Sequence, residues 1–143
     1  MRSYLVVANQ TLGGAHLLSA VRERMRAGDC RFHVIVPATH ADDHATWTEG
    51  DAQALAQERL DRALAAFQEI GAPATGEVGD ERPIQAIADV LMREPFDEII
   101  LSTLPPGMSR WLKMDLPHRV EAVYGLPVTH IIGRPSPAHG PTP

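Results

Sequence analysis

Two short polar stretches of this sequence carry side chains that could hold a small anionic ligand. They are Asn9-Gln10-Thr11 and Ser102-Thr103, the latter followed closely by Gly107, Ser109 and Arg110. Arginine matters most, because its planar guanidinium matches two oxygens of a carboxylate or phosphate with a fork of N–H donors. A glycine lets backbone approach an oxygen closely, and serine and threonine hydroxyls both donate and accept. Two readings of the later stretch stand side by side. Either Arg110 centres an anion site, or Pro105-Pro106-Gly107 is a structural turn with an exposed arginine beside it. Likewise, Asn9, Gln10 and Thr11 either read the edge of a base or ribose, or close a helix N-terminus with Thr11 as its cap.

Other chemistry-bearing groups are less well placed. His40, Asp42, Asp43 and His44 resemble a metal set on paper, but a histidine pair at i,i+4 converges only on a formed helix, and this stretch reads as a solvated loop. Trp47 in the same loop is either a lid or a contact folded back onto the following helix. A Ser102, His130 and Asp115 trio can be assembled on paper with nothing in the spacing to position it. Cys30 has no base near it in sequence and reads as structural. Neither Gly-x-Gly-x-x-Gly nor Gly-x4-Gly-Lys-Ser/Thr occurs, so Gly13-Gly14 is a weak phosphate-loop signal.

The elements that must position these residues follow from periodicity. Ile99-Ile100-Leu101 is an apolar run bounded by acids before and hydroxyls after, the pattern of a strand covered on both faces. Pro105 and Pro106 lack the N–H a ladder needs, so the chain leaves the sheet after Thr103. Strands are expected at Tyr4–Ala8, Phe32–Val36, Ala74–Val78, Glu98–Ser102 and Leu126–Ile132. Helices are expected after Thr11 as far as Gly28, over Asp51–Ile70, and from Pro83 to before Pro95. A last helix carries Leu112, Leu116, Val120 and Val123, interrupted or started by Pro117. Alternating strands and helices make a parallel sheet with helices on both faces, an α/β fold. The doubly wound order 3-2-1-4-5 puts the polar third strand at an edge and a topological switch between strands one and four. Asn9–Thr11 and Ser102-Thr103 then flank the crevice where such sheets bind ligands.

Bulk composition sets the frame. The chain has 143 residues, 44% hydrophobic and 22% charged, which suits one domain over about residues 1–134 with a Pro-rich, disordered tail over 135–143. A net charge of −5 with no basic block argues against a nucleic-acid partner. The N-terminal apolar run is too short for a signal sequence or membrane span, and the single cysteine fits a reducing compartment, so a cytoplasmic protein with no membrane partner is expected.

At this point the chain resembles the universal stress protein family. The resemblance rests on the strand order together with Val7-Ala8-Asn9-Gln10-Thr11 and Val78-Gly79-Asp80 with Pro83 and Ala86-Ile87. It extends to Phe96-Asp97-Glu98-Ile99-Ile100-Leu101-Ser102 and Gly125-Leu126-Pro127-Val128-Thr129-His130-Ile131. It implies a Rossmann-like fold of the adenine nucleotide alpha hydrolase-like type, and a stress or signalling module. ATP or another adenine nucleotide is the implied ligand, and no metal is expected. The family's ATP-binding members carry Gly-x2-Gly-x9-Gly-Ser/Thr after strand four. Here Gly107 survives, Arg110 stands three residues on, and Met114-Asp115 falls near the terminal Gly-Ser/Thr. The family's acid after strand one is Asn9.

The ligand-binding set expected at the crevice is Asn9, Gln10, Thr11, Pro37, Ser102, Thr103, Gly107, Ser109 and Arg110, with no catalytic residue assigned. The Gly107–Ser109 amides are expected to share the anion with Arg110. A nucleotide-free interaction protein and a weak nucleotide phosphohydrolase remain as alternatives. Strand five, Leu126–Ile132, is an apolar edge expected to pair with its own copy in a homodimer.

Overall fold

The computed structural model describes residues 1–12, 14–38 and 49–133. The loop cluster His40, Asp42, Asp43, His44 and Trp47, and the tail over 135–143, lie outside the described residues. Five strands, β1 (Arg2–Val7), β2 (Cys30–Pro37), β3 (Ala74–Gly79), β4 (Glu98–Thr103) and β5 (Val128–Ile132), form one sheet in the order β3-β2-β1-β4-β5. Every pairing is parallel, as the alternating elements require.

Helices α1 (Ala15–Ala27) and α2 (Glu49–Glu69) cover one face. Helices α3 (Pro83–Leu91), α4 (Arg110–Lys113) and α5 (Leu116–Tyr124) cover the other. Strand alternation assigns the side chains between them. Tyr4, Val6 and Ala8 of the first strand and its exit join Phe32, Val34 and Val36 beneath α1 and α2. Leu5, Val7, Ile35, Ile99 and Leu101 point the other way, against Ile87 and Val90 of α3 and Leu116 and Val120 of α5. Leu5, Val6, Val7, Ile99, Ile100 and Leu101 are wholly buried, which is why neither strand shows a polar face in sequence. No helix among the described residues is long and apolar enough to cross a membrane.

Several boundaries differ from expectation for identifiable reasons. The second strand includes Pro37, which pairs with Gly79 of β3 at the last rung. Thr11 does not cap the first helix: α1 begins at Ala15 after Gly14 with no side-chain cap, and the Thr11 hydroxyl is committed across the sheet to Ser102. The last helix is two. Ser109 Oγ accepts from the Leu112 amide at 3.1 Å to cap α4, and Pro117 sits in the first turn of α5. Trp111, not Leu112, is the buried residue of α4, and Val123 is 62% exposed on the outer side of α5. The fifth strand starts at Val128; Leu126 and Pro127 precede it, although the Pro127 carbonyl still accepts from Ile99.

The edge strand β3 owes its glycines to helix packing. A Cβ on Gly76 would lie 2.5 Å from Cδ1 of Leu60 in α2, and one on Gly79 would lie 3.0 Å from Cβ of Ala86 in α3. At these two positions, on opposite faces of the strand, the packed neighbours leave little room for a Cβ.

Candidate functional site

All five strands end at the same edge of the sheet, and a cleft of about 800 Å³ opens there over β1 and β4. Its floor is Asn9, Gln10 and Thr11 from the exit of β1, with Ser102 and Leu104 from the end of β4. One wall is the entry to α3, Glu81 to Gln85. The other is Met108, Ser109, Arg110, Trp111 and Met114 around α4, with Arg119 from α5. The cleft therefore lies on the α3–α5 side of the switch point.

The floor is tied together by buried polar contacts. Thr11 Oγ1 and Ser102 Oγ lie 2.6 Å apart, and both residues are almost wholly buried. Asn9 is 8% exposed, and its amide works in both directions. Nδ2 donates to the Pro37 carbonyl at 2.8 Å, while Oδ1 accepts a close hydrogen bond from Arg59 of α2. Burial lowers the pKa of that guanidinium from its usual value, since desolvation disfavours the charged form. An asparagine suits this position because an ionised aspartate could not donate to Pro37.

The loop after β4 is built as a turn. Gly107 has φ +89°, a conformation that favours glycine, and follows Pro106. The amides of Met108 and Ser109 donate to the Pro105 carbonyl at 3.0 and 3.1 Å. The expectation that the Gly107–Ser109 amides face an anion is corrected on this point: two of those donors are spent inside the turn. Asp115, near the position of the family motif's last glycine, has φ 55° and ψ 40°, a left-handed conformation that glycine adopts without strain.

Of the expected ligand residues, Asn9, Gln10, Thr11, Ser102, Ser109 and Arg110 line the cleft together. Pro37, Thr103 and Gly107 do not. Pro37 serves Asn9 through its carbonyl. Thr103 is buried, with its hydroxyl donating to the Leu104 carbonyl at 2.9 Å and lying 2.8 Å from His130 Nε2. That hydroxyl has one proton, so His130 Nε2 donates to it, and burial lowers the His130 pKa below its usual 6.5. The Ser102, His130 and Asp115 trio does not assemble: their respective partners are Thr11, Thr103 and His118. Cys30 is buried, and burial raises its thiol pKa, the opposite of an activated nucleophile.

Residue-by-residue reading of the sequence missed Arg82, Arg119, Trp111 and the methionines. Arg82 stands at the start of α3 and therefore at the ligand end of the sheet, a signal that strand polarity could have supplied. Arg82 Nε donates to Asp80 at 3.1 Å, a bond that uses neither terminal nitrogen. Arg119 Nη1 lies 3.5 Å from the Met114 carbonyl.

Known structures share this architecture. A universal stress protein from Archaeoglobus fulgidus superposes with a TM-score of 0.63 at 15% identity, covering 92% of this chain and 93% of that one. The chain has the universal stress protein fold. A second likeness is to GalB, the 4-carboxy-2-hydroxymuconate hydratase of Pseudomonas putida KT2440, with a TM-score of 0.52 and 21% identity. It covers 94% of this chain but only 63% of the hydratase. At these identities both likenesses concern the backbone, and neither carries a residue's role across. No family model and no curated protein matches the sequence. Within the universal stress protein fold, then, the site must be judged on its own side chains.

Proposed function

We propose that this chain is a ligand-binding module of universal-stress-protein type with a stress or signalling role, whose cleft takes a phosphate-bearing small molecule, foremost an adenine nucleotide. One observation carries the reading: Arg82, Arg110 and Arg119 line a single cleft at the sheet's switch point in a chain whose net charge is −5. Guanidiniums gathered against the general charge of a protein favour an anion. The buried Thr11–Ser102 floor gives the cleft a fixed base, as a binding site requires. Efficient phosphoryl transfer would need a positioned base or metal in addition to these cations, so binding without rapid turnover is the form of the proposal.

A second reading, a nucleotide-free dimeric interaction protein, is favoured by the turn after β4, where Met108 and Ser109 spend their amides on Pro105. Calorimetric titration of the purified protein with ATP, ADP and AMP separates the two. Saturable binding at micromolar strength supports the nucleotide module. Absence of any heat up to millimolar nucleotide, with no nucleotide retained in native mass spectrometry, supports the interaction protein instead.

A further inference from the structure

The loop amides and the arginines of the cleft bear differently on the same ligand. The Met108 and Ser109 amides already serve the Pro105 carbonyl, so they cannot form an anion nest without opening the turn. The side chains around them are cationic. Arg82 comes from the entry to α3, Arg110 from the first residue of α4, and Arg119 from the first half of α5. Three separate elements thus bring one arginine each to the lining of the same cleft of about 800 Å³. Among the described residues that line it, Glu81 is the one carboxylate. Arg82 is further arranged by Asp80, whose Oδ1 accepts both its amide at 2.8 Å and its Nε at 3.1 Å.

We infer that the cleft takes its ligand as a bare polyanion, a phosphoanhydride chain without its divalent cation, held on Arg82, Arg110 and Arg119. This rests on the nucleotide-binding reading above and deepens it. A magnesium ion on a phosphate chain occupies some of its oxygens and offsets part of its charge, which weakens the attraction of that chain to guanidiniums. Magnesium also asks for carboxylate or water ligands in octahedral geometry, whereas the lining supplies chiefly guanidiniums. A chelated triphosphate therefore brings less charge to the arginines and adds a cation beside them. Free ATP suits the lining better than its magnesium complex, and the number of phosphates, more than the base, sets affinity.

The test is titration of the full chain with ATP in EDTA and again in excess magnesium at matched ionic strength, with AMP as the short-chain probe. Arg82→Gln and Arg119→Gln are exposed-side-chain changes, checked by circular dichroism and thermal melting. Free ATP is expected to bind about three-fold or more tighter than its magnesium complex, from the difference in ligand charge. Each glutamine variant is expected to weaken ATP by about three- to ten-fold, the range for losing a hydrogen bond to a charged group at an open site, and to weaken AMP less. Tighter binding with magnesium, or unchanged ATP affinity in both variants, overturns the bare-polyanion inference and leaves nucleotide binding standing. If the wild-type chain binds ATP in neither condition, the broader reading falls and this inference with it.

Discussion

Thr11 and Ser102 stand 91 residues apart in sequence, yet their hydroxyl oxygens meet at 2.6 Å beneath the cleft. They join the exits of β1 and β4, the two strands whose divergence creates the switch point. Both residues are almost wholly buried, so the pair ties the floor of the cleft together. Thr11→Val keeps the shape and strands the Ser102 hydroxyl, with an expected loss of about 1–3 kcal/mol. Adding Ser102→Ala removes the stranded group, so the double variant should be more stable than the sum of the single changes predicts, with a coupling of about 0.5–2 kcal/mol. Urea unfolding of the four proteins measures this, and strict additivity would remove the hydroxyl pair from the account of the floor.

Asp115 offers a different kind of test, since its effect comes from backbone shape. At φ 55° an L-residue is crowded, and the hydrogen bond that Asp115 Oδ1 accepts from His118 Nδ1 lies at the exposed surface. Asp115→Gly is expected to leave stability unchanged or raise it, whereas Asp115→Ala should lower it by about 1 kcal/mol. Denaturant midpoints at constant slope decide between these outcomes. An alanine variant more stable than the glycine variant contradicts the left-handed conformation at this position.

The sheet order was legible because the sequence signals for it are redundant. Ile99–Leu101 reads as a strand covered on both faces, and the polar Ala74–Val78 reads as an edge. The floor of the site came with the order, since Asn9–Thr11 and Ser102 follow the two switch strands. What the sequence hid is the use to which polar groups are put. Thr11 carries the right chemistry for a cap, but a tertiary partner outbid the local one. Arg119 could not be aimed from sequence, because its direction depends on whether Pro117 opens a new helix or interrupts an old one. The spent amides of Met108 and Ser109 are a property of turn geometry that no residue type announces.

Glu77 gives the fold a defined acid sensitivity away from the cleft. Its carboxylate accepts from Arg93 Nη1 at 3.1 Å and from His33 Nε2 at 2.8 Å, while the Thr75 hydroxyl lies 2.7 Å from His33 Nδ1. Arg93 chiefly, then His33, hold the Glu77 pKa below its ordinary value of 4.5 against the opposing effect of burial. A depressed carboxylate contributes stability that is fully present above the unfolded-state pKa and is lost as pH falls through the folded-state pKa. Glu77→Gln should therefore be less stable than wild type by a constant margin at neutral pH, with the margin shrinking below about pH 4.5. Parallel urea titrations across that range test it; a margin that persists or grows in acid assigns Glu77 a packing role only.

The proposed homodimer rests on the difference between the two sheet edges. Edge β3 carries Glu77 bonded to Arg93, and is crossed by helices on both faces. Edge β5 is hydrogen-bonded on one side to β4, from Val128 opposite Ile99 to Ile132 opposite Thr103. Its residues are only partly buried, and Ile132 is 45% exposed. Thr129 is anchored inward, its hydroxyl donating closely to Glu98, which also accepts from Arg24 of α1 at 2.7 Å. Such an anchored, apolar strand, with one side unpaired among the described residues, is suited to antiparallel pairing with its own copy, which closes both edges under a two-fold axis. Because the strand begins at Val128, pairing is expected to centre on Thr129 to Ile131, beyond Pro127. The Pro127 carbonyl and the Gly133 amide both bond to β4, so the odd-numbered residues of β5 face β4 and the His130 N–H faces the other side. His130→Pro would remove that outward donor from each subunit, and the expected result is a folded monomer where the wild-type chain is a dimer. Ile132→Lys, with the backbone intact, should shift the same equilibrium by placing a charge on the pairing edge. Light scattering at micromolar concentration reads both variants against the wild type, and a monomeric wild-type chain ends the proposal.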